Sequence, residues 1–125
     1  MHDEIILFDY WRSSAAYRVR IALNLGHTMG HAIEAAGGYT RHLHGEAVGL
    51  GLLLEHGFGV RKGWTDPSLV AELHASLTQL GLPTTVGAPL REEAAKHLGL
   101  DKKRRGGVIK LPLLESPGKV VVHEV

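Results

Sequence analysis

RIALNLGHTMGHAIEAAGGYTRHLHGE, residues 20–46, decides how the rest of the chain is read. On a helix that turns about 100° per residue, Arg20, Asn24, His27 and His31 fall in one polar stripe. Val19, Ile21, Ala22, Leu25, Met29, Ala32, Ile33 and Ala36 cover the opposite side. The pattern therefore predicts a helix that buries one face and turns the stripe toward a cleft or solvent. Gly37 and Gly38 supply its stop, and a second helix is expected from Leu43, with His44 close to its start.

Upstream, EIILFD at residues 4–9 is long enough for a strand but not for a helix. Ser13 or Ser14 can cap the helix expected from Ala15 to about Ala36. Downstream, HGEAVGLGLLLEHGFGVRKG is apolar or small all round, as a helix packed on several sides should be. Gly45, Gly49 and Gly51, with Gly26 and Gly30 on the first helix, would let neighbours approach closely.

Asp66 is placed to cap a third helix with Pro67 in its first turn and a core stripe of Leu69, Leu73, Leu77 and Leu80. A fourth helix is expected from about Leu90, breaking at Gly99 before DKKRR and ending at Gly106 and Gly107. VIKLPLL and KVVVHEV, separated by ESPG, read as a hairpin in which Pro112 needs an edge or a bulge. The fold class is α+β, mainly α: a bundle of about four helices with a short N-terminal strand, which can add to the sheet, and a C-terminal β-hairpin. One domain over residues 1–125 is the expectation at this length.

A net charge of +1 gives no reason to expect nucleic acid or an anionic membrane as partner. DKKRR, without interleaved aromatics, reads as a solvated helix end or an anion contact. No apolar run approaches the roughly 18 residues of a membrane span, and the N-terminus lacks a secretory pattern, so a soluble cytoplasmic protein is expected. The absence of cysteine excludes disulfides and thiolate metal sites.

Nine histidines are well above ordinary usage. Zinc takes imidazole or carboxylate ligands in tetrahedral geometry, and a catalytic site keeps one position open. His27 and His31 lie one turn apart, and His44 comes from the next helix. Glu34, Glu46, His31 and His42 are the candidates for a third ligand, while His2, His56, His74, His97 and His123 read as surface or half-buried residues.

Two family resemblances lie on these residues. FDYWRSSAAYRVRIALNL resembles the opening of zeta-class glutathione transferases, or maleylacetoacetate isomerases, with their YxRSSxxYRVRIAL pattern. That likeness covers about residues 5–25 and implies glutathione binding at Ser13 or Ser14, although Ala15 stands where many members carry Cys. RIALNLGHTMGHAIEAAGGYTRHLHGEAVGLGL resembles the C-terminal domain of 3-dehydroquinate synthase, with its RxLLNxGHTxGHAIE stretch and LHGEAV. Later motifs follow in family order: GLP at Gly81 to Pro83, DKK at Asp101 to Lys103, then the two closing strands. Both patterns fit Arg20 to Leu25, so the chain reads as a chimera, with residues 1–24 transferase-like and residues 25–125 synthase-like.

The second resemblance implies zinc ligation by His27 and His44, substrate contacts by Arg20 and Asn24, and a catalytic set of His31 with Lys102 or Lys103. It implies a phosphorylated keto-acid substrate, or another small anion, that is transiently oxidised by NAD, loses phosphate, is reduced and closes its ring. Zinc polarises the reacting oxygen in that scheme, and cationic side chains hold phosphate and carboxylate. The family's third zinc ligand, a glutamate, and its NAD-binding half have no counterpart among these residues, so activity by this chain alone is not expected. A homodimer is a further expectation, because members of that family are usually dimers.

Overall fold

The computed structural model describes residues 24–125. The strand expected at 4–9, the helix start at Ala15, and Ser13, Ser14 and Arg20 lie outside the described residues. The described chain runs through α1 (His27–Ala36), α2 (His44–Arg61), α3 (Pro67–Gln79) and α4 (Ala88–Arg104), then β1 (Lys110–Ser116) and β2 (Lys119–Glu124). The architecture is α+β and mainly α, as the hydrophobic periodicities require.

Within the described residues, α1 starts later than periodicity alone suggests. Asn24 to Gly26 form a turn, and Gly26 adopts φ 77°, a left-handed conformation that a right-handed helix cannot contain. The first helical bond follows, from the Gly30 N–H to the Gly26 carbonyl at 2.8 Å. This break is also where α1 meets α2. A Cβ on Gly51 would overlap the Gly26 carbonyl oxygen and lie 2.7 Å from Gly30 N, while one on Gly30 would lie 3.2 Å from Val48 Cα. The two backbones thus touch at a crossing that only glycine permits. Gly49 faces Leu77 of α3, but Gly45 faces open space and plays no part in packing.

α1 packs against both α2 and α4, and α3 and β1 pack against α2. The core between α1, α2 and α4 is built from Ala32, Ile33, Ala47, Leu50, Leu90 and Ala94, with Met29 and Leu98 partly buried around it. Ile33 and Ala32 come from the apolar face named in the sequence, which leaves His27 and His31 on the other side of α1. That division is what positions the site.

Asp66 caps α3 by accepting the Ser68 N–H at 3.0 Å, with Pro67 at the first position. Its leucine stripe is buried at Leu69 and Leu77, but Leu80, the C-cap, is 73% exposed and not core. α4 runs unbroken through Gly99 and takes in the DKKR run, because one exposed glycine costs a helix only about 1 kcal/mol. Lys102, Lys103 and Arg104 occupy its last turn, where cations favour the exposed carbonyl ends.

In the antiparallel hairpin, Leu113 pairs with Val121 and Pro112 with Val122. Each strand has one partner among the described residues, so Pro112 sits on an edge as expected. Leu111 and Leu113 turn their buried side chains inward. His56, expected near the surface, is instead fully buried: its Nδ1–H donates to Leu52 O at 2.8 Å, and its Nε2 accepts the Leu114 N–H at 3.0 Å. It ties α2 to β1. No described helix is long and apolar enough to cross a membrane.

Candidate functional site

The sequence places three imidazoles at the junction of α1 and α2, and the structure brings them together. Ring centroids of His27 and His31 lie 5.5 Å apart, those of His27 and His44 5.4 Å, and those of His31 and His44 6.0 Å. His27 and His31 share the polar face of α1, and His44 is the first residue of α2. Its approach depends on the glycine crossing described above. Asn24 precedes α1 in the turn, outside the helical register assigned to it, and still lines the same cleft.

Two of the three rings have one nitrogen already committed. His27 Nδ1 lies 3.2 Å from the Leu25 carbonyl oxygen, which can only accept, so Nδ1 carries the proton. His44 Nδ1 bonds the Glu34 carboxylate, again as donor. In the neutral form of each ring the remaining nitrogen, Nε2, then holds the lone pair. This arrangement, with the outer N–H given to a carbonyl or carboxylate, is the one that metal-bound histidines adopt. A tetrahedral zinc with Zn–N bonds of about 2.0–2.1 Å sets two ring centres about 5 Å apart, close to the His27–His44 separation.

Third ligands are not assembled here. Among the described residues no group of three histidine or acidic side chains converges on one point. Glu34 is engaged with His44, and Glu46 accepts the Leu43 N–H at 2.9 Å, so both carboxylates named from the sequence already have local partners. His31 stays in the ring cluster, and the Nδ1 of His42 is buried without a hydrogen bond.

Beside the rings runs an open cleft of about 590 Å³. Asn24, His27, Thr28 and His31 form one wall, His97, Asp101 and Arg104 of α4 with its C-cap Arg105 the facing one, and Lys110, Pro112 and Val122 of the hairpin close it. The Arg105 Nε lies 3.0 Å from the Asp101 carboxylate, which holds that guanidinium on the helix surface. Lys102 and Lys103 belong to the same exposed turn but do not line the cleft. The positive charge that faces the histidines comes from Arg104 and Arg105, the end of the DKKRR run read as a possible anion contact, and from Lys110, which the sequence reading did not single out. Tyr39 also lines the cleft, at φ 61°, a left-handed conformation rare for a tyrosine and closed by its N–H on Glu34 O at 2.8 Å.

Fold and site together define a class: a helical module that offers two imidazoles of fixed tautomer next to a basic cleft. The chain belongs to the 3-dehydroquinate synthase C-terminal family, whose sequence pattern matches residues 12–104. It is 44% identical over 109 residues to a 3-dehydroquinate synthase of Pyrobaculum neutrophilum, an alignment that covers 86% of this chain and 31% of that relative. A 3-dehydroquinate synthase of Streptococcus suis is 39% identical over 107 residues, 86% of this chain and 30% of its own length. One of Halorhodospira halophila is 43% identical over 103 residues, 82% of this chain and 29% of its own. The chain therefore spans about a third of the length of these relatives. The family pattern begins at residue 12, within the RSSAAYRVRIAL stretch. The transferase-like reading of residues 5–25, and the chimera built on it, gain no support.

Proposed function

We propose that this chain supplies the metal- and anion-binding part of a dehydroquinate-synthase-type active site in the shikimate pathway, as a cytoplasmic phosphate-eliminating lyase module. The observation that carries the reading is the pair His27 and His44, each with Nδ1 committed, with ring centroids 5.4 Å apart and with His27 lining the basic cleft. The donor set suits zinc as two of its ligands, and the third would come from outside the described residues. Zinc, when bound, would polarise a substrate oxygen.

The chain's own residues then divide the work. Arg104, Arg105 and Lys110, which line the cleft where Lys102 and Lys103 do not, would hold the phosphate and carboxylate of a phosphorylated keto acid together with Arg20. Asn24 would orient the substrate by hydrogen bonds. His31, next to both ligands, is placed to take or return a proton. NAD would be bound by another part of a longer protein or by a separate chain. No turnover is expected from these residues by themselves.

The test is phosphate release from the phosphorylated keto acid with NAD and zinc, with and without an NAD-binding half of a relative supplied in trans. The expected result is none from the chain alone and release in the mixture. Absence of release from every mixture, with both parts folded, would remove the catalytic reading.

A further inference from the structure

We infer that Glu34 is a positioning residue, which fixes the tautomer and orientation of His44 so that Nε2 is presented to a divalent cation; this rests on the zinc reading given above. His27 and His44 are held by different partners. A peptide carbonyl, Leu25 O, holds His27, and a carboxylate holds His44. Glu34 lies seven residues after His27 and three after His31 on the same side of α1. Its side chain is 13% exposed, against 59% for His44. The carboxylate is therefore the anchored member of the pair, and the imidazole at the open end of α2 is the one that needs holding.

Without the carboxylate, a neutral imidazole prefers its proton on Nε2, which would remove the lone pair from the nitrogen the site uses. With it, the proton stays on Nδ1, and the negative charge raises electron density at Nε2, making it a better ligand. Glu46, the next carboxylate along, is turned to the Leu43 N–H instead. The contact also spans the α1–α2 junction, so the same bond that sets the tautomer sets where His44 stands relative to His27.

The experiment uses the full chain as wild type, Glu34→Gln and Glu34→Ala. Ring-nitrogen NMR, at a pH where the imidazoles are neutral, reports the tautomers, and calorimetric titration with zinc alone reports affinity. In wild type, His44 carries its proton on Nδ1. Glu34→Ala moves that proton to Nε2, leaves His27 unchanged, and weakens zinc binding by about 10- to 100-fold. Glu34→Gln keeps an oxygen acceptor, so it retains the tautomer and loses less affinity, with an unaltered unfolding midpoint. If His44 keeps its Nδ1 proton in Glu34→Ala, or zinc binds that variant as tightly as wild type, the inference is overturned. Should wild type itself take no zinc, the ligand reading fails, while the tautomer change still decides the role of Glu34.

Discussion

α2 holds histidines of opposite kinds, one at its first residue and one five residues before its last. His44, at the first residue, gives one nitrogen to Glu34 and leaves the other without a hydrogen bond among the described residues. His56, twelve residues on, has both nitrogens taken, one by the Leu52 carbonyl and one by the Leu114 N–H, and no exposed surface. Burial lowers the pKa of His56, so it stays neutral in the fold. The role of a histidine here follows from whether its second nitrogen is engaged. At the amino end the imidazole can serve a ligand, and at His56 it serves as a bolt between helix and hairpin.

Glu55, beside His56, sharpens the contrast. It is 1% exposed, and neither carboxyl oxygen accepts a hydrogen bond of normal geometry. Burial pushes its pKa up to about 8, only partly opposed by the Met29 backbone. The folded state thus keeps a proton on Glu55 that the unfolded chain gives up near 4.5. The stability that this carboxyl contributes is complete below that value and declines as pH rises toward 8, at about 1.4 kcal/mol per pH unit. His56 acts in the other direction: its neutral form favours folding above 6.5, and that contribution is lost as pH falls through its lowered value. The two slopes oppose each other just below 6.5, so the Glu55 decline should be plainest between 6.5 and 8.

The largest expected effect is therefore at Glu55. Glu55→Met, which keeps the bulk and removes the charge, should raise stability by several kcal/mol above about pH 8 and abolish the decline between 6.5 and 8. Denaturant melts across pH check this; the same slope between pH 6.5 and 8 in both proteins would rule out Glu55 as its source. Next comes His56→Ala, expected to cost about 2–4 kcal/mol by opening a cavity and stranding the Leu114 N–H. Its zinc affinity, measured below its unfolding transition, should equal wild type, and a parallel loss of affinity would erase the distinction between the two histidines.

Gly51→Ala should cost about 1–3 kcal/mol, because its Cβ would meet the Gly26 carbonyl and drive α1 from α2. Unlike His56→Ala, it should also weaken zinc binding, since His27 and His44 ride on the two displaced helices. The smallest effect on stability belongs to His44→Ala, within about 0.5 kcal/mol as for most exposed sites. Its consequence should be confined to binding.

Much of this arrangement was legible in the residues, and the exceptions share a physical cause. Asp66 and Pro67 mark the start of α3 because capping and proline geometry are local. The facing of His27 and His31 away from Ile33 followed from helical period alone. Nothing local revealed the break at Gly26, since GHTMGHAIE continues a helical pattern and the left-handed turn is imposed where α2 crosses it. His56 lies in a helix that is apolar all round, where periodicity cannot say which residue faces inward. Along the DKKRR run, successive helical side chains point about 100° apart, and the return of the hairpin decides that Arg104 and Arg105 line the cleft.

On the proposed reading His27 and His44 would bind an ion, whereas His56 holds helix to hairpin. The most direct test is the thermal unfolding midpoint of wild type and His44→Ala with and without saturating zinc, since an ion that binds the native state must raise it. The account predicts an upward shift in wild type that is lost in His44→Ala. Equal shifts in the two proteins, or none in wild type, would contradict it.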